Sequence, residues 1–166
     1  MDGISRMKPL RWRALTQGER RLSAEVFGAT LDLDRIRVFS LPLWARPFVP
    51  NDWLVVWPAA GAYADFSLAP LWIRSVLVHE LVHAWQAQCG VNLPLAKLRC
   101  GDGPAAYVYD PTDGREFSAL NIEQQAMVVQ HAYLVDRGAA APYPAPAYAR
   151  ILEAWPNRDR SRPRTF

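Results

Sequence analysis

Residues 75–90 read SVLVHELVHAWQAQCG and contain His79, Glu80 and His83 in the order H-E-x-x-H. On a helix, residues four apart share a face, so this spacing lets two imidazoles close on one metal ion. The glutamate after the first histidine then sits beside the ion's open side, placed to take a proton from water. With only 3 histidines in 166 residues, the number of matches expected by chance is about 0.002. The surrounding helix is expected over Leu71–Cys89, closed by Gly90. It is apolar on nearly every face, through Leu71, Ile73, Val76, Leu77, Val78, Leu81, Val82, Ala84 and Trp85. Such a helix belongs inside a domain. A His-Glu-His trio buried there without a metal would be strongly destabilising.

Two histidines and a base leave a catalytic zinc site one protein ligand short. The preferred third ligand is Glu123, in the first turn of a second apolar helix expected over Asn121–Leu134, with polar Gln124 and Gln125 beside it. His131 is the second candidate. Eight residues on, it lies about 80° around the helix from Glu123, so the two do not both reach one ion. Asp102, Asp110 and Asp113, in the intervening loop, are further candidates. Hydrolytic chemistry also requires a donor to a developing oxyanion, for which Tyr107, Tyr109 and His131 are the candidates.

The remaining chain reads as one α+β domain over residues 14–156, between a basic arm at 1–13 and a basic tail at 157–166. Hydrophobic residues make up 51% of the chain and charged residues 21%, which excludes a wholly disordered protein. Eight of the 19 basic residues lie in the two ends, opposed there only by Asp2 and Asp159, so the formal charge of +3 hides a mildly acidic body. Such ends are expected to be solvated. No folded nucleic-acid motif accompanies them, so no specific nucleic-acid partner is expected.

Thr16-Gln17-Gly18-Glu19 is a capping box opening a helix at about 17–27. Strands are expected from Asp34 to Phe39, at Trp53–Trp57, and again at Ala62–Phe66, forming a small twisted sheet packed on the metal helix. The edge of Trp53–Trp57 offers a place for an extended peptide to pair. Residues 91–118 read as a long irregular loop with a β-prone piece at Ala106–Tyr109, and Gly138–Pro146 as an extended spacer before a short helix at Ala149–Trp155. Cys89 and Cys100 are expected to be reduced thiols, or to clip the loop after the metal helix in an oxidising compartment. Nothing reads as a membrane span or as a secretory h-region.

HELVHAWQ at 79–86 followed by NIEQQA at 121–126 resembles the zincin metallopeptidases of the glutamate-ligand type. More narrowly, the chain is similar to the bacterial Vgr-related proteins, small predicted metallopeptidases associated with type VI or contractile-injection loci. The likeness runs from LTQGERRLSAEVFGATLDLDRIRV to about Leu134. It implies a zincin-like fold and a Zn²⁺ ion held by His79, His83 and Glu123, with Glu80 as general base. It further implies a peptide or protein substrate, a secretion-apparatus partner, and delivery from the cytoplasm by a specialised secretion system. The competing expectation is a non-catalytic adaptor that uses zinc to fold.

Overall fold

The computed structural model describes residues 5–155; the tail expected at 157–166 lies outside them, as do residues 1–4 of the expected arm. Three short strands form one sheet in the order β1 (Trp12–Ala14), β2 (Arg37–Leu41), β3 (Leu54–Pro58). β1 runs antiparallel to β2, with Arg13 opposite Val38, and β2 runs parallel to β3, with Phe39 opposite Val56. Among the described residues five α-helices complete the α+β domain: α1 (Gln17–Phe27), α2 (Leu71–Gln88), α3 (Leu93–Cys100), α4 (Ile122–Val135) and α5 (Ala145–Ile151). Among the described residues no helix is long and apolar enough to cross a membrane.

α1 begins at the expected capping box, where Thr16 Oγ1 accepts from Glu19 N–H and Glu19 Oε2 accepts from Thr16 N–H. Glu19 does more than cap. Its side chain is fully buried, takes both guanidinium branches of Arg13 at 2.6 and 2.7 Å, and accepts from Phe66 N–H at 2.8 Å. One carboxylate thereby joins β1, α1 and the turn that leads into α2. The approach there is close. A Cβ on Gly18 would stand 2.1 Å from Ser67 Oγ.

Several elements differ from expectation. The segment read as a solvated basic arm supplies β1, and Arg6 stacks 3.7 Å over the Tyr63 ring. β2 starts at Arg37, because Asp32 Oδ1 and a Leu33–Ile36 turn hold the preceding residues in a loop. Ala62–Phe66 is not a strand. Tyr63 makes a single bridge to Arg6, and Asp65 caps a 3₁₀ turn over Phe66–Leu68 through Ser67 N–H. The stretch 91–118 is less irregular than its composition suggests. Asn92 caps α3 with Pro94 in its first turn, and Pro104–Tyr107 is a 3₁₀ turn where a β-prone piece was expected. α5 starts at Ala145, with Pro144 as its N-cap and Pro146 tolerated in the first turn. Cys89 and Cys100 are free thiols.

α2 is the centre of the fold. Its buried residues include Ile73, Leu77, Val78, Leu81, Val82 and Ala84, and it packs chiefly on α4 and also against β3, α1 and α3. Trp155 closes the core from the far end of the described chain. Its ring lies against Phe27, Trp85 and Phe117, and its Nε1–H donates to Val26 O at 2.8 Å.

Candidate metal centre

α2 and α4 carry the site between them. His79 and His83 project from one face of α2, and Glu123 from the first turn of α4, where Asn121 and Gln124 form a second capping box. All three are buried, and their ligand atoms lie within 4.8 Å of one another. His79 Nε2 is 3.2 Å from His83 Nε2, and Glu123 Oε2 is 3.3 Å from the first and 3.4 Å from the second. Ligands 2.0–2.1 Å from a tetrahedral zinc stand about 3.3–3.4 Å apart. The triangle therefore matches one face of such a coordination sphere.

The outer ring nitrogens explain why the inner ones converge. Ser75 Oγ donates to Trp72 O at 2.7 Å, so it must accept from Gln130 Nε2 at 3.3 Å. That turns Gln130 Oε1 towards His79 Nδ1, 3.0 Å away. Gln86 is fixed likewise. Its Nε2 donates to Ile122 O at 3.0 Å and to Gln125 Oε1 at 2.8 Å, leaving Oε1 to accept from His83 Nδ1 at 2.9 Å. With both Nδ1 atoms committed as donors, each neutral ring presents a lone pair at Nε2. With neutral rings, two nitrogen lone pairs and a carboxylate oxygen face one another, and their repulsion is relieved by a cation between them, either a metal ion or a proton on an imidazole Nε2.

The charges around the triad are unevenly distributed. Burial would raise the Glu123 carboxyl, but hydrogen bonds to His79 and His83 and the nearby Lys97 hold it far below the usual carboxylate range. Burial acts unopposed by any hydrogen bond on Glu80, so its carboxyl is raised despite the neighbouring histidines. For His83, burial would lower the imidazole, yet the bond to Glu123 and the charge of Glu80 raise it.

The triad and Glu80 lie on a cavity of about 500 Å³, whose other walls are the β2–β3 connection (Trp44, Arg46–Pro50) and α3 with the turn after it (Leu93, Pro94, Lys97, Asp102, Tyr107). Phe48 exchanges two backbone hydrogen bonds with Val56, at 2.9 and 3.0 Å. The β3 edge expected to take an extended peptide is therefore already occupied at its middle by the chain's own residue.

The structure separates the expected accessory residues. Tyr107 lines the cavity, with its ring stacked 6.4 Å from that of His79. Tyr109 and His131 do not line it. Their side chains bond to each other at 2.7 Å, and Tyr109 also donates to Tyr148 at 3.1 Å, in a cluster that ties α4 to α5. Burial, with His79 nearby, lowers the His131 imidazole. Asp102 reaches the site through Lys97, while Asp110 and Asp113 cap local turns. Gln124 caps α4 and donates to Val108 O rather than supporting a ligand. Three residues that matter here were not anticipated: Gln86, Gln130 and Lys97. Gln130 lies seven residues, two helical turns, from Glu123 on one face of α4, but nothing local shows that it turns to His79.

No family model matches the chain. It is 29% identical over 156 residues to the type VI secretion system spike protein VgrG2b of Pseudomonas aeruginosa, an alignment covering 87% of this chain but 15% of that protein. The chain thus spans about a seventh of the length of that curated relative. The solved effector domain of Pseudomonas aeruginosa VgrG2b superposes with a TM-score of 0.68 at 26% identity, covering 86% of this chain and 83% of that one. These likenesses relate the chain to one domain of a much longer secretion protein.

Proposed function

We propose that the protein is a zinc-dependent peptidase of the zincin type that acts as a type VI secretion effector. The observation that carries the reading is the convergence of His79 Nε2, His83 Nε2 and Glu123 Oε2 at 3.2–3.4 Å, with both Nδ1 atoms already committed. Two imidazoles and one carboxylate suit zinc, and three protein ligands leave a position for water or substrate, as catalytic sites require. An ion held there would acidify water and polarise a carbonyl. Glu80 stands on the same cavity without a hydrogen-bond partner among the described residues, and burial raises its carboxyl. It serves as general base, taking a proton from the attacking water and passing it to the departing amide nitrogen. Tyr107, which lines the cavity and whose hydroxyl donates at 3.4 Å to Asp102, is the donor to the carbonyl oxygen once turned from that carboxylate. The apolar wall of Trp44, Phe48, Val49 and Pro50 excludes water and receives the peptide.

The secretion context rests on the likeness to the VgrG2b effector domain. The test pairs zinc content with hydrolysis of a peptide library by wild type and by Glu80→Gln. The proposal expects equal zinc in both and hydrolysis in wild type alone. Zinc without Glu80-dependent hydrolysis would instead fit a zinc-stabilised component of the apparatus.

A further inference from the structure

Glu123 divides its two oxygens between two tasks. Oε2 completes the triangle with the histidines, while Oε1 accepts from Lys97 Nζ at 2.5 Å. The lysine is itself held from three sides, because the same ammonium lies 3.0 Å from Asp102 Oδ1 and 3.1 Å from Tyr107 Oη. An ammonium has three N–H donors, so this one has no free valence. Asp102 is in turn anchored by Arg46 at 2.9 Å, giving a chain of alternating charge from the cavity mouth to the triad.

Carboxylates bind metals through one oxygen or through both. With Oε1 engaged by a cation, a second metal bond through that oxygen would have to form beside the bound ammonium and against its positive charge. We infer that Lys97 is a positioning residue that keeps Glu123 a one-oxygen metal ligand and so preserves the open coordination position. This rests on the metal-centre reading above. Lys97 also places a positive charge next to the cation, which weakens metal binding while making the ion a stronger electrophile. The lysine therefore trades affinity for an open, reactive site. A residue that merely propped Glu123 in place would do the reverse, and its loss would weaken binding.

The test uses Co²⁺, whose visible absorption is strong at four-coordinate sites and several-fold weaker at five-coordinate ones. The whole protein is loaded with Co²⁺ as wild type, Lys97→Met and Lys97→Arg, with thermal melts recording that each is folded. Wild type and Lys97→Arg are expected to give the strong four-coordinate spectrum. Lys97→Met should show absorption reduced several-fold and should hold Co²⁺ severalfold more tightly in chelator competition. A wild-type spectrum in folded Lys97→Met, or weaker Co²⁺ binding by it, overturns the role given to Lys97 and leaves the metal centre standing. Failure of wild type to bind Co²⁺ through His79, His83 and Glu123 overturns both.

Discussion

Replacing Gln86 by leucine tests whether the site is organised by hydrogen bonds beyond the ligands. Gln86 is 1% exposed and makes three bonds: from His83 Nδ1–H at 2.9 Å, to Ile122 O at 3.0 Å and to Gln125 Oε1 at 2.8 Å. Leucine fills similar space but leaves those partners unanswered. Each unsatisfied buried group costs about 1–3 kcal/mol. Gln125 Nε2 keeps its bonds to Phe117 O and Leu120 O, which hold that side chain in place but leave its Oε1 unanswered, so the net loss in the metal-free protein should be about 3 kcal/mol or more. Metal affinity should fall about 10–100-fold, or about 1.4–2.8 kcal/mol, because nothing then selects the His83 tautomer that presents Nε2. Urea unfolding of the metal-free protein reads the first quantity, and chelator competition reads the second. Gln86→Glu separates them. It keeps an acceptor for His83 but cannot donate to Ile122 O, so stability should fall while affinity holds. Unchanged metal affinity in folded Gln86→Leu would refute the reasoning.

Glu19→Gln should destabilise by about 3 kcal/mol or more, because it strips the charge partner from a largely buried Arg13. Adding Arg13→Met to that variant should recover part of the loss, and denaturant unfolding of both checks it. Trp155→Ala should cost about 3–5 kcal/mol through the cavity left among Phe27, Trp85 and Phe117, read the same way. Zinc in thousandfold excess over its dissociation constant should stabilise wild type by about 4 kcal/mol. It should not stabilise Glu123→Ala, and thermal melts with and without chelator measure the difference.

The two helices that build the site were legible in the sequence because each carries a local signature. The H-E-x-x-H spacing sits in an apolar run for α2, and a second apolar run over Asn121–Leu134 marks α4. Glu123 followed from its place in a first turn on a buried element. Gln86 and Gln130 were out of reach because their roles depend on partners 36–51 residues away, Ile122 and His79 among them. Lys97 was hidden for a different reason. α3 is only eight residues long, and the glycines and prolines around it masked a start signal that was present, Asn92 followed by Pro94. β1 was missed because Trp12–Ala14 is too short for an alternating pattern. The strand expected at Ala62–Phe66 failed because Asp65 prefers to cap the turn that follows it.

The account rests on His79, His83 and Glu123 holding one metal ion. Native mass spectrometry of wild type, Glu80→Gln and Glu123→Ala, purified side by side and supplied with zinc, tests this directly. One tightly bound zinc per chain in the first two, and none in Glu123→Ala, is the expected result. A chain that takes up no zinc, or a Glu123→Ala variant that binds it as tightly as wild type, would contradict the assignment.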